Sequence, residues 1–235
     1  MSVVRAPVIR VRQLAKAFTL HNQGGVTLQV LRRLGLRVDE GECVVLTDPS
    51  GSGKSTLLRA VYGNYKPQAG EILVRHGDRV IDVVSAEPRQ ILEVRRRTMG
   101  YVSQFLRVIP RVPAVEIVAE PLRAIGVGKV DALRRTRALL ARVGIAERLW
   151  DLSPVTFSGG EQQRINVARG FIARHPILLL DEPTASLDAA SRAVVVELIR
   201  EARDRGTAIL GTFHDPDVRD RVATRVVSLA EAEAA

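Results

Sequence analysis

The stretch DPSGSGKST, Asp48 to Thr56, follows a short apolar run and leads into good helix formers. Its residue types suit the holding of phosphate. Gly51 and Gly53 let the backbone approach an anion, and the N–H groups that open a helix after them favour negative charge. Lys54 would reach the β- and γ-phosphates of a nucleotide and Ser55 would place its hydroxyl on Mg²⁺, with Ser50, Ser52 and Thr56 completing the loop. One residue departs from the pattern GxxxxGK[ST]: Asp48 stands at the first glycine. Two readings follow. Pro49 biases residue 48 toward extended backbone, which a non-glycine adopts at little cost. Alternatively the carboxylate repels a triphosphate, by up to about 4 kcal/mol at 4 Å in an effective dielectric of 20, and leaves a weak nucleotide binder.

A second carboxylate element is PILLLDEP, Pro176 to Pro183. Four apolar residues form a buried strand that delivers Asp181 and Glu182 at its C-terminal end, where open α/β sheets carry their sites. Asp181 suits the Mg²⁺ shell, and Glu182 can polarise an attacking water as general base. A lone DE pair is often an exposed turn, but the phosphate loop upstream argues against that here. Between the two elements, TFSGGEQQR, Thr156 to Arg164, opens a helix with Ser158, Gly159 and Gly160, a second anion-binding N-terminus. A second cradle on a chain that already has one makes sense if it completes the site of another subunit.

These residues need an alternating scaffold. Strands are expected at Val8 to Leu14, Gln29 to Val38, Glu42 to Thr47, Glu71 to Arg75 and Arg79 to Val84, with a helix over Lys54 to Tyr62. From about 88 to 171 the pattern is mostly helical, interrupted by a strand at Met99 to Ser103, and reads as an inserted helical lobe. Buried strands follow at Ile177 to Leu180, Thr207 to Thr212 and Val226 to Leu229, with a helix over Ala189 to Asp204. The expectation is one α/β domain over 1–235, its core about 1–87 and 172–235.

Composition narrows the setting. Of the 235 residues 46% are hydrophobic and 26% charged, which excludes a disordered chain. The formal charge of +9 comes mostly from arginine and is spread along the chain; with aromatics at only 4%, a nucleic-acid partner is not expected. Apolar runs such as Ile177 to Leu180 are far shorter than the roughly 20 residues of a membrane span. Cys43, the single cysteine, fits a reducing, cytoplasmic setting without direct membrane insertion.

Taken in order, GSGKST at 51–56, Gln104 after a strand, SGGEQQR at 158–164, LLLDEP at 178–183, SLD at 186–188 and His214 resemble ATP-binding-cassette (ABC) ATPases over essentially the whole chain. The resemblance implies a P-loop NTPase core with an N-terminal antiparallel β subdomain and the helical lobe, using ATP and Mg²⁺. It also implies a head-to-tail homodimer or cassette heterodimer, with ATP held between the phosphate loop of one subunit and the signature Ser158, Gly159, Gly160 and Glu161 of the other. In that family pattern Phe18 stacks on adenine, Gln104 senses Mg²⁺ and the γ-phosphate, Asp188 communicates across the dimer, and His214 contacts the γ-phosphate and pairs with Glu182. The signature reads SGGEQ in place of SGGQ, a change outside the phosphate-facing residues.

Within the family, SQFLRVIPR after the strand at 99–103 and ERLWDL at 147–152 look like the PhnL subfamily of the bacterial carbon-phosphorus lyase system. That resemblance implies a soluble lyase complex and a companion ABC subunit as partners, in phosphonate metabolism and ribose 1-methylphosphonate 5-triphosphate synthesis. The partner surface would lie near Gln104 to Arg111. The other reading is the nucleotide-binding subunit of a membrane ABC transporter or lipoprotein-release system, to which the same motifs are also similar.

Overall fold

A computed structural model describes residues 7–20, 24–106 and 110–234. The element order is β1 (Ile9–Leu20), β2 (Val26–Val38), β3 (Cys43–Leu46), α1 (Lys54–Val61), β4 (Ala69–His76), β5 (Arg79–Asp82), α2 (Pro88–Arg97), β6 (Met99–Val102), α3 (Ala114–Ala124), α4 (Lys129–Arg142), α5 (Gly159–Phe171), β7 (Ile177–Asp181), α6 (Ala189–Asp204), β8 (Ala208–Thr212), α7 (Pro216–Val222), β9 (Arg225–Val227) and α8 (Leu229–Ala234). Two sheets result. One is antiparallel in the order β2-β1-β4-β5, the other parallel in the order β6-β7-β8-β3-β9. This is the arrangement that the resemblance implies, a parallel core with an N-terminal antiparallel sheet.

The parallel strands read as unbroken apolar runs because helices or sheet cover both of their faces. Alternation along each strand still sorts the side chains. Cys43, Val45, Leu178, Leu180 and Ile209 join one core with α3, α5 and α6, and Val44, Leu46, Ile177, Leu179, Ala208 and Leu210 join a second with α1 and the antiparallel sheet. Burial pushes the Cys43 thiol up to about 12, so this cysteine is an inert core residue.

Strand β1 runs six residues beyond its expected end. Its pairing with β2 is irregular between Val11 and Ala17, and Gln13 and Arg33 take left-handed φ angles of 48° and 50°. Such bulges break the period of two that sequence patterning relies on. β6, inside the stretch expected to be a helical lobe, is an edge strand of the parallel sheet, and Val94 of α2 packs in the core with α1. The stretch without strands therefore begins only at α3. Among the described residues no helix is long and apolar enough to cross a membrane.

Helix α5 lies almost in backbone contact with β6. A Cβ on Gly170 would fall 2.4 Å from Val102 Cγ2, and one on Gly100 would fall 2.8 Å from the Gly170 carbonyl oxygen. Gly170→Ala should therefore cost about 1–3 kcal/mol as overpacking. In a thermal melt this appears as a drop of about 2–4 °C per kcal/mol; an unchanged melting temperature would contradict the close approach.

Candidate functional site

The C-terminal ends of β3, β7 and β8 open into adjoining clefts. One, of about 340 Å³, is lined by Ser50, Gly51, Gly53, Lys54, Ser55, Thr56, Gln104 and Glu182; the other is lined by Asp48, Lys54, Glu182, Thr212, His214 and Arg219, among others. Sequence separation of more than a hundred residues is thus closed by the sheet. Gly51 and Gly53 hold φ angles of 85° and 105°, and a Cβ on Gly53 would meet Val30 Cγ1 at 2.9 Å. Only glycine meets both demands there. Gly53 is also the N-cap of α1 and offers no side-chain cap, so the first N–H groups of the helix are left for an anion. Lys54 Nζ donates to the Asp48 carbonyl and, at 2.8 Å, to that of Pro49. Among the described residues the buried Ser52 hydroxyl has no hydrogen-bond partner.

Asp181 is 1% exposed. Its Oδ1 accepts from Ser55 Oγ at 2.8 Å and from Thr212 Oγ1 at 3.3 Å, and its Oδ2 accepts from the Tyr101 hydroxyl at 3.2 Å. Burial, with the Asp181 charge beside it, pushes the Tyr101 phenol well above its usual value, so it stays protonated and donates. Neighbouring Glu182 has a φ of 52°. Its N–H donates to the Thr212 carbonyl at 3.2 Å and to Thr212 Oγ1 at 3.1 Å, and its carbonyl accepts from Gln163 Nε2 at 3.4 Å. A left-handed non-glycine at the mouth of a cleft is the kind of strain that surrounding structure must enforce. Tyr101 and Thr212 were not singled out from sequence. Tyr101 stands one residue from the end of β6 and Thr212 ends β8, each close in sequence to a chosen residue, Gln104 and His214, and that proximity is the signal available.

His214 lines the cleft with Glu182 and Lys54, but among the described residues no hydrogen bond joins His214 to Glu182, so the expected pairing is not made in this conformation. The Gln104 side chain faces the same space as Ser55 and Glu182. Phe18 is half-buried, edge-on to Tyr65 at 5.3 Å between centroids and under Lys16 Nζ at 4.8 Å.

Ser158 to Glu161 line neither cleft. Ser158 caps α5, and its N–H and Oγ both donate to Glu161 Oε2, at 2.9 and 2.7 Å. These two hydrogen bonds hold the Glu161 carboxyl below its ordinary value. Glu161 therefore orders the exposed signature turn. Asp188 likewise caps α6, accepting from the Ser191 N–H at 2.7 Å, a bond that holds its carboxyl low.

Asp48 has no left-handed φ, in keeping with the bias from Pro49. Its carboxylate is committed to the head of α8: Oδ1 accepts from Ser228 Oγ at 2.8 Å and Oδ2 from the Leu229 N–H at 2.6 Å. Helix α8 is fastened in turn to β2, where the Arg32 N–H donates to Glu233 Oε1 at 2.7 Å. The residue in place of glycine thus joins the phosphate loop to the C-terminal segment.

The donor set fits magnesium. Mg²⁺ takes oxygen ligands, often one or two from protein with phosphates and water completing the shell. The paired Ser55 hydroxyl and Asp181 carboxylate supply such oxygens, and among the described residues no group of three or more His, Cys, Asp or Glu could cage a metal alone.

Residues 31–185, more than half of the chain, match the ABC transporter family. The chain belongs to that family of ABC ATPases. It is 38% identical over 216 residues to the lipoprotein-releasing system ATP-binding protein LolD of Shewanella sp. (strain MR-4), spanning 92% of this chain and 90% of that protein. To the LolD of Novosphingobium aromaticivorans it is 39% identical over 226 residues, spanning 96% and 97%. Among solved structures, the ATP-binding cassette MJ0796 in a dimeric post-hydrolysis state with ADP and Pi superposes with a TM-score of 0.85 at 27% identity, covering 94% of this chain and 93% of that one. A second dimeric MJ0796 structure superposes with a TM-score of 0.84.

These relatives overturn the phosphonate reading. Full-length likeness leads to LolD, and neither PhnL nor a carbon-phosphorus lyase partner is supported. The physical reason is visible in ERLWDL. The Trp150 and Leu152 carbonyls accept from the Val115 and Ala114 N–H groups at the head of α3, and the Trp150 indole donates to the Ile145 carbonyl at 2.9 Å. That string is engaged within the chain, where it closes onto the head of α3. Residues 107–109 of the other string, and with them part of the expected partner surface, lie outside the described residues.

Asp48→Gly removes two charge-assisted hydrogen bonds and should destabilise the ABC ATPase by about 1–3 kcal/mol, while its affinity for Mg²⁺-ATP stays within about threefold of the parent. Thermal melts and nucleotide titration check both. Strongly tightened nucleotide binding would instead identify the carboxylate as a repelling charge.

Proposed function

We propose that this chain is the ATP-hydrolysing subunit of a membrane ABC system of the lipoprotein-releasing type, acting as a dimer. The observation that carries the reading is likeness to LolD over nearly the whole chain combined with two adjoining clefts that gather the phosphate loop, Gln104, Glu182 and His214 in one chain. The exposed signature, set apart from that cleft, supports head-to-tail pairing: Ser158, Gly159 and Gly160 of a second copy would close over the nucleotide. The dimeric state named for the MJ0796 structures supports the same arrangement.

In this reading the open N–H groups of α1 and the Lys54 ammonium hold the β- and γ-phosphates, and Phe18 packs on the adenine. Ser55, Asp181 and Gln104 would hold Mg²⁺, which when bound neutralises phosphate charge. Glu182, its backbone fixed by Thr212, takes the proton of the attacking water, and His214 steadies the γ-phosphate. Asp188, at the head of α6, reports across the dimer. The helical stretch from α3 onward forms the lobe that faces the membrane subunits.

Glu182→Gln should lower kcat by at least about a hundredfold, the low end of a general base's contribution, and should accumulate an ATP-dependent dimer on size exclusion. Rapid turnover by this variant would remove Glu182 from the role of base. Co-expression with the membrane subunits of a lipoprotein-releasing system should yield a complex that survives detergent purification with raised ATPase activity; failure to associate would refute the assignment of partner while leaving the ATPase intact.

A further inference from the structure

One helix, α5, touches three of the segments around the site. Gln163, 5% exposed, aims its amide nitrogen at two carbonyl oxygens, that of Pro183 at 3.0 Å and that of Glu182 at 3.4 Å. Asn166, 3% exposed and on the same face of α5, donates to the Ser103 carbonyl at 2.5 Å, immediately before Gln104. Arg164, between them, donates to Ser191 Oγ at 3.2 Å, and the Ser191 N–H is the donor to Asp188. At the head of the helix the backbone also abuts the next loop, since a Cβ on Gly160 would lie 3.2 Å from the Ser186 carbonyl oxygen. The same helix begins at Ser158.

Two buried primary amides donating to loop carbonyls are not needed to pack a helix on a sheet. The Gly100 and Gly170 contact already fastens α5 to β6. The amides instead act on backbone outside the strands: the Pro183 carbonyl, just after the left-handed Glu182, and the Ser103 carbonyl at the exit of β6 into Gln104. Removing the Gln163 amide would take away the side-chain donor to the buried Pro183 carbonyl, and removing the Asn166 amide the donor to the part-buried Ser103 carbonyl, which loosens these turns.

We propose that Gln163 and Asn166 are positioning residues that make α5 a rigid arm between the signature and the catalytic loops of the same chain. Nucleotide closing on Ser158 then alters the set of Glu182 and Gln104 in this chain's own site, so the two sites of a dimer are read against each other. The inference rests on the dimeric ATPase reading above.

The test uses the full chain carrying Gln163→Met, which keeps length and shape and removes the amide, beside Asn166→Leu. Expected for both is ATP binding by the monomer within about twofold of the parent and an unchanged KM, with kcat lowered about tenfold. The Hill coefficient for ATP should fall from near 2 to near 1, since two coupled sites bound it from above. Parent-like kcat and cooperativity in both variants would overturn the proposal, and so would a parent that hydrolyses ATP without cooperativity. Loss of monomer binding in parallel with kcat would assign the two amides to the scaffold alone and overturn it as well. Should Gln163→Met fail to fold, Asn166→Leu reads the same arm at its Gln104 end. A parent inert toward ATP overturns the ATPase reading itself.

Discussion

A fully buried carboxylate is expensive to keep unless its oxygens are met. Asp181 is met by three hydroxyls from three different elements: Ser55 of α1, Thr212 of β8 and Tyr101 of β6. Each donor fixes the position of something else. Ser55 draws the phosphate loop onto the sheet, Tyr101 sets the strand that runs into Gln104, and Thr212 turns to hold the backbone of Glu182. The three donors are neutral, so the negative charge remains available to a cation. The site is therefore assembled around a charge that the protein solvates without cancelling.

The pieces around it share a logic of prior positioning. The glycines at 51 and 53 and the bare N-cap of α1 leave donors exposed where phosphate would arrive. Glu161 orders the signature turn from within the chain. Asp48, foreign to the usual glycine pattern, commits both carboxylate oxygens to the head of α8 and so ties the stability of the loop to that helix. Positioning groups before reaction, at a cost met during folding, is how electrostatic catalysis gains its advantage.

Much of this was legible in the sequence because it is local. The loop at 48–56, the capped start of α5 and the helix over 189–204, with Asp188 at its cap, each depend on neighbours a few residues away. What escaped depends on distance. β1 extends past its expected end through bulges at Gln13 and Arg33, which hide the alternation. Helices α7 and α8 are too short to show a period. Tyr101 and Thr212 gain their meaning only when the parallel register sets Tyr101 opposite Leu179 and Asp181 opposite Thr212. The mistaken lean toward phosphonate chemistry came from short strings such as ERLWDL, whose Trp150 bonds within the chain to Ile145 and Val115, whereas likeness over the whole chain leads to LolD.

The left-handed backbone at Glu182 has an evolutionary consequence. Glycine or asparagine would sit in that conformation with less strain, by about 1 kcal/mol or more. A population selected for heat resistance alone would thus be rewarded for discarding the carboxylate that the proposed mechanism uses as its base. With Glu182 as the proposed base, robustness and activity pull in opposite directions at this one position, and the glutamate marks a place where function is held against the grain of the fold.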